Sequence, residues 1–515
     1  MIKIKNKNKN KNKNKNKNKN KNKNKNKNKN EATNTKIEQI CKAVLDRIRP
    51  EEGERRSVKA VTDRIIAKIN RKALERGIDT HAISVGSTAR NTWIRGDEYR
   101  GDIDIFIPFP AHLSEEDLKE KGLALAKSIS DRYEERYASH PYIHAYFYDE
   151  ERGTEHEVDL VPCFSVKNAS VLKSAVDRTP FHKEYVVKRI PGLEDEVLLL
   201  KQFMKSLGIY GSEQRRKGFA GYLCELLILH YSSFVELLID ASRWKYGKRI
   251  DLEGEGTYKG NGDLGKGKGP DPLIVIDPVD PKRNVAASVS EYSFCRLIDA
   301  ARSFLRDPDI NFFLPLDEKL EPLNKAEFMN RMKKRGTELV MIVFDAPDVV
   351  EDVLFPQLRK AVASITILIE QNGFVVYRSD VHASGGKAFF LIELLVWTLP
   401  RIKKHWGPPV TMRHHSDAFK KKYAATDTKP GDLNRRLFIE NGRYVVEVER
   451  RYTNVVSLLK NELRTCSLGK QVAESIGSGY EIWGNDEIER QLQLSSDPDH
   501  NLDLGKFFRE YFCGI

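Results

Sequence analysis

The 515-residue chain carries 87 Lys and Arg against 74 Asp and Glu, a formal net charge of +13. That surplus is local: residues 1–30 run as a Lys-Asn repeat with 14 lysines and no acid, leaving 73 basic against 74 acidic side chains elsewhere. Global charge is therefore no argument for a nucleic-acid partner, and any such surface must be a local patch. The longest apolar run, Ala388–Leu399, is too short to span a membrane and contains Glu393. The basic N-terminus lacks the apolar stretch of a signal peptide. Six scattered cysteines with no CxxC pair exclude a zinc ribbon and give no disulfide framework. A soluble, cytoplasmic protein with no membrane partner is expected.

In chain order, the Lys-Asn tract over 1–32 cannot pack a core and is expected to be disordered. Thr35 to Arg76 has apolar residues at helical spacing, split by Pro50 into two helices. Short strands are predicted over His81–Val85, Ile103–Ile107 and Val158–Pro162. Val197–Leu207 and Tyr222–Ile239 read as helices with broad apolar faces. Residues 254–270 hold seven glycines and read as a loop. A strand leading into DPVDPKRNVA follows, then a mixture of helices with strands at Glu338–Phe344, Phe374–Tyr377 and Arg443–Glu449. Arg401–His405, Lys420–Tyr423 and Arg435–Arg436 are basic stretches interleaved with aromatics.

The densest chemistry is Gly86-Ser87-Thr88-Ala89-Arg90 followed by Gly101-Asp102-Ile103-Asp104-Ile105-Phe106. Alternate side chains of a strand share a face, so Asp102 and Asp104 point together while Ile103 and Ile105 enter the core. Paired carboxylates favour a divalent cation between them, and all-oxygen ligands select magnesium. Gly-Ser before a helix offers free backbone N–H groups and a hydroxyl to a phosphate. Together these equip a chain for metal-assisted phosphoryl or nucleotidyl transfer. A third carboxylate, Asp159, lies between Val158 and Leu160, where an unpaired charge would be costly to bury. Glu155 and Glu157 share its face by parity, so spacing alone leaves them open as ligands.

GSTARNTW…GDIDIF, EHEVDLVPC, SAVDRTPFH, GIYG…GFAGYLCELL and DPVDPKRNVA together resemble the archaeal-type (class I) CCA-adding tRNA nucleotidyltransferases of the DNA polymerase β superfamily. The resemblance runs from about residue 36 to the end and is densest over 83–290. It implies that Asp102, Asp104 and Asp159 hold two Mg2+ ions. It places Ser87 and Arg90 on the triphosphate of the incoming CTP or ATP. Nucleotide contacts also fall on His182, Lys201 and Tyr210, and Arg283 resembles the arginine that reads the incoming base. A guanidinium donates to acceptors on the Watson–Crick edges of C and A, which separates both from G and U. Tyr210, Lys201 and His182 supply a hydroxyl, a point charge and a ring donor.

Three features depart from that family: the long gap at Asp97–Gly101, the glycine-rich insertion and the Lys-Asn tract. GNGDLGKG at 260–267 approaches a P-loop but ends in glycine, with Pro270 and Pro272 following in place of a helix. His414-His415 has no further ligand at suitable spacing. The expected architecture is a multidomain α/β (α+β) enzyme. A polymerase-β-like catalytic palm covers about 33–190, a helical neck with the nucleotide pocket 191–300, and a mixed α/β C-terminal body and tail that binds tRNA 301–515. The expected function is template-independent addition and repair of the 3′-terminal CCA of tRNA from CTP and ATP, releasing pyrophosphate. The resemblance also implies a homodimer. The alternatives are a poly(A)-type terminal nucleotidyltransferase and a catalytically silent RNA-binding protein.

Overall fold

The computed structural model describes residues 31–95, 103–137, 141–149, 153–169, 171–258, 271–315, 321–424, 437–494 and 503–513. The Lys-Asn tract, Asp97–Asp102, the glycine-rich residues 259–270 and Arg435–Arg436 lie outside them. Two compact units divide the chain, one ending at Leu320 and the other beginning at Glu321.

The first unit opens with helix α1 (residues 31–48) and α2 (Glu52–Glu75). A five-stranded sheet follows, built from β1 (Ile83–Val85), β2 (Ile103–Pro110), β3 (Tyr133–Tyr137), β4 (Pro141–Asp149) and β5 (Thr154–Ser165), with helix α3 (Glu115–Lys127) inserted after β2. The strand order is β1-β2-β5-β4-β3, and β2 and β5 run parallel at its centre. One face carries Ile103, Ile105, Val158 and Leu160, all fully buried in one core with Val61 and Ile65 of α2 and Leu125 of α3. Each contributes about 1.5–3 kcal/mol by leaving water. The opposite face is apolar only in part: Val85, Phe106, Val161 and Cys163 form a small cluster. That face also carries Asp104 and Asp159, paired across the two central strands. The predicted alternation of Asp104 against Ile103 and Ile105 is therefore as read, while β3 and β4 were not anticipated from sequence.

Beyond the sheet come α4 (Thr179–Val187), α5 (Glu194–Ser206), α6 (Gly221–Tyr231) and α7 (Phe234–Ala241), then β6 (Lys248–Ile250), β7 (Leu273–Asp277), β8 (Asp280–Asn284) and α8 (Glu291–Arg306). Their core includes Leu200, Phe203, Leu227, Phe234 and Phe304, and Ile37, Val44 and Ile48 of α1 pack into it. The single helix expected over 222–239 is instead two, bent by 92°. Ser232 turns left-handed at φ 59° and ends α6. Ser233 then caps α7, accepting from the N–H groups of Val235 and Glu236. Two consecutive serines thus supply a stop and a start that apolar periodicity does not register.

In the second unit, strands β9 (Glu338–Asp345), β10 (Val375–Ser384), β11 (Lys387–Val396) and β15 (Glu481–Trp483) form an antiparallel sheet of order β10-β11-β9-β15. Val340, Ile342, Phe390 and Ile392 face the helix Glu351–Gln371, while Leu339, Met341, Phe389 and Leu391 face Phe328, Ile488 and Phe508 on the other side. Burial on both faces explains the continuous apolar run at Ala388. Glu393, the charge within it, is fully buried and takes two hydrogen bonds from Arg335 at 2.7 and 2.9 Å, with Thr337 and Tyr511 donating as well. A smaller sheet, β12 (Ile402–Pro409), β14 (Arg443–Glu449) and β13 (Leu437–Glu440), carries the helix Arg413–Ala424. Lys403, Lys404, His405 and Trp406 of β12 are exposed, as are His414 and His415. Among the described residues no single helix is long and apolar enough to cross a membrane.

Candidate active site

Register places the carboxylates together. Asp104 on β2 pairs with Asp159 on β5, and Asp159 pairs with His144 on β4. Side chains at paired positions of neighbouring strands leave the sheet on the same face, about 4.8 Å apart along the ladder. Val85 occupies the next place in the row, opposite Asp104, and Gly86 follows it at φ +72°. A Cβ built on Gly86 would lie 1.8 Å from Oδ2 of Asp104, so only glycine leaves room for that carboxylate. His144 is buried, with Nδ1 2.6 Å from Oδ1 of Asp159 and Nε2 3.2 Å from Oε2 of Glu157. Burial, then the charges of Asp159 and Asp104, push the Tyr142 phenol up. Of the two glutamates left open by parity, Glu155 is ion-paired with Arg132. Glu157 is largely exposed beside His144.

The helix expected after Gly86-Ser87 is a single 3₁₀ turn, Thr88–Arg90, ended by Asn91 in the left-handed region. Beyond it the chain is drawn inward at Thr92, whose hydroxyl donates to Glu225 at 2.6 Å and whose carbonyl accepts from Lys201 at 2.7 Å. Ser87 stays half-buried at the turn, with its carbonyl accepting from the N–H groups of Arg90 and Thr92.

Arg90 and Lys201 meet on one carboxylate. Arg90 Nε lies 2.9 Å and Lys201 Nζ 4.0 Å from Oε1 of Glu225, and all three side chains are buried. Burial lowers the Lys201 ammonium from its usual range, with Glu225 opposing that shift. Gly221 completes the group: a Cβ there would stand 3.1 Å from the Tyr210 hydroxyl and 3.7 Å from Lys201 Nζ. Glu225 was not singled out from sequence. Its signal was a lone carboxylate in the apolar helix GYLCELLILHY.

His182 and Arg283, 101 positions apart in the chain, meet on a third carboxylate. Asp277 is fully buried and accepts from His182 Nε2 at 2.9 Å and Arg283 Nη1 at 2.8 Å. Burial depresses the His182 ring below its ordinary value, and Arg283 and Arg90 add to that against Asp277. A neutral ring makes this contact with its proton on Nε2. Arg178 pairs in the same way with Asp280 at 3.0 Å. Arg178, His182, Asp280 and Arg283 line a cleft of about 1280 Å³ together with Tyr222 and Lys282.

The candidate residues thus collect into a carboxylate row, a buried cation pair and a basic cleft wall. Asp102 lies outside the described residues. Among those residues no group of three or more His, Cys, Asp or Glu is placed to hold a metal. Asp104 and Asp159 nonetheless suit a hard divalent cation: two carboxylates share a face with room kept by a glycine.

Residues 64–182 match the nucleotidyltransferase domain family, 195–314 the second domain of tRNA nucleotidyltransferases, and 335–485 the C-terminal domain of CCA-adding enzymes. The CCA-adding enzyme of Methanosarcina mazei is 42% identical over 463 residues, covering 89% of this chain and 96% of that protein. That of Methanosarcina acetivorans is 41% identical over 474 residues, covering 91% and 98%. Among solved structures, the E. coli MS115-1 CdnC:HORMA-deltaN complex aligns at TM-score 0.40 and 17% identity, over 58% of this chain and 95% of that one. With similarity to curated relatives extending through all three matched regions, the chain belongs to the archaeal-type CCA-adding tRNA nucleotidyltransferases.

Proposed function

We propose that this chain adds and repairs the 3′-terminal CCA of tRNA from CTP and ATP, with Asp102, Asp104 and Asp159 as the ligands of two Mg2+ ions. The observation that carries this is the in-register pair Asp104 and Asp159 beside Gly86. When bound there, magnesium supplies a Lewis acid that activates the tRNA 3′-hydroxyl and screens the triphosphate. Ser87, Arg90, Lys201 and Tyr210 hold the phosphates, and the two cations meet the charge of the departing pyrophosphate. His182 and Arg283 contact the nucleotide from the cleft wall, Arg283 donating to acceptors on the base edge. The exposed basic strand β12, with Trp406 in it, and the helix Arg413–Ala424 supply a surface for the tRNA phosphates.

A homodimer working in the cytoplasm completes this reading, and sedimentation of the purified chain tests its oligomeric part. A poly(A)-type enzyme is not favoured by curated relatives that are CCA-adding enzymes along most of the chain. The test is incorporation of α-labelled CTP into tRNA ending at the discriminator base. Removal of magnesium by chelation, Asp104→Asn and Asp159→Asn should each abolish incorporation while leaving tRNA binding in place. Incorporation that survives all three would overturn the carboxylate assignment.

A further inference from the structure

Arg283 as a base reader raises a physical question: what fixes its guanidinium? An arginine in an open cleft has several rotamers, and donors that wander do not discriminate one base edge from another. We propose that Asp277 is the positioning residue for base selection, holding Arg283 and His182 in the one geometry that reads the incoming base. This rests on the reading of Arg283 given above.

Asp277 ends β7 and Arg283 lies in β8, so the hairpin brings the two side chains together across its turn. The carboxylate has no exposed surface, and four donors converge on it. His182 Nε2 and Arg283 Nη1 reach Oδ2. The Tyr222 hydroxyl at 3.2 Å and the Val279 N–H at 3.1 Å reach Oδ1. The His182 and Tyr222 rings stack with centroids 3.9 Å apart, so the histidine is fixed by its plane as well as by its edge. Burial alone would raise the Asp277 carboxyl, but His182 and Arg283 hold it below its ordinary value.

The arrangement is one-sided. Among the described residues the Arg283 guanidinium makes its one hydrogen bond through Nη1, and its side chain stays about a third exposed on the cleft. Asp277 anchors one end of the guanidinium while Nε and Nη2 remain available to a base. A purely structural Asp277, serving only the turn at Val279, would not need its second oxygen directed at two cleft residues.

The test is a double-mutant cycle on selectivity, read as the ratio of kcat/KM for CTP over UTP on tRNA ending at the discriminator base. Asp277→Asn is isosteric and keeps the acceptor for Val279, but loses the charge that fixes Arg283. It should lower the ratio by about tenfold or more, as loss of a fixed donor does, with thermal unfolding still cooperative. Added to Arg283→Ala it should change the ratio by less than about twofold, because the two act through one contact. Asp277→Glu, which keeps the charge and displaces it by one methylene, should also lower the ratio and serves if the asparagine variant does not fold. A wild-type ratio in both Asp277 variants, with Arg283→Ala lowering it, overturns the inference alone. So does a fall that adds fully to that of Arg283→Ala. An Arg283→Ala enzyme with unchanged selectivity overturns the base-reader assignment, and this inference with it.

Discussion

Gly86 and Asp104 are in contact across the edge of the palm sheet, so tightly that a Cβ on the glycine would sit 1.8 Å from the aspartate's Oδ2. The backbone at Gly86 is also left-handed, at φ +72°. Both conditions require glycine, one for space and one for conformation.

Gly86→Ala should therefore displace the Asp104 carboxylate while adding no charge or polar group to the site. A misplacement on the order of 1 Å at a reacting centre costs about a hundredfold in rate. The expected result is a kcat lowered by that order with tRNA affinity unchanged, measured by single-turnover CTP addition and filter binding. Near-normal kcat would mean that Asp104 is not a metal ligand.

His144 bears on the same row from the other side, through Nδ1 on Asp159. Partners that orient a ligating carboxylate typically matter about 10–100-fold to metal affinity. His144→Leu should raise the Mn2+ concentration needed to half-fill the site by that factor, read by electron paramagnetic resonance with no turnover involved. Metal binding equal to wild type would reduce His144 to a packing residue.

Glu225 carries two buried cations, Arg90 and Lys201. Glu225→Leu leaves both charges in a low-dielectric interior, a change that costs about 3–5 kcal/mol when one partner of a buried pair is removed. Urea unfolding should show that loss. Glu225→Gln, which still accepts from Thr92 and Arg90, should lose less. Equal stability of the leucine variant would show that the cations find other partners.

The depressed His182 ring gives a pH dependence with a definite sign. The folded state resists protonation there, whereas the unfolded chain takes up the proton near the ordinary value of 6.5. The unfolded state thus binds more protons below about pH 6.5, and stability falls as pH drops through that value toward the folded pKa. Asp277, itself depressed, adds a second loss when pH falls through its own folded value below 3.8. His182→Gln should flatten the stability profile between pH 7 and 5, measured by urea unfolding at several pH values. An unchanged slope would assign the pH dependence elsewhere.

Local patterns were legible in the sequence, and long-range partners were not. Period-two alternation revealed Asp104 opposite Ile103 and Ile105, because a strand with one apolar face writes its orientation into adjacent residues. The sheet's edge strand β3 was missed: all five of its residues, Tyr133–Tyr137, are exposed and show no such alternation. The carboxylates that hold the cations were also missed. Glu225 lies 135 positions from Arg90, and Asp277 lies 95 from His182. No spacing rule links residues that meet only after two helices and a hairpin have packed. The break at Ser232 and Ser233 is local, but it is made by caps that apolar periodicity does not register, and the 3₁₀ turn after Ser87 spans too few residues for helical propensity to decide.

The most direct test of the central claim is the product ladder at nucleotide resolution. The 515-residue chain with magnesium and tRNA ending at the discriminator base would receive CTP, ATP, UTP or GTP singly, and CTP with ATP. Two additions from CTP alone, a third only when ATP joins it, and none from Asp159→Asn are the expected result. Long adenylate tails, or no extension by a folded chain that binds tRNA, would contradict it.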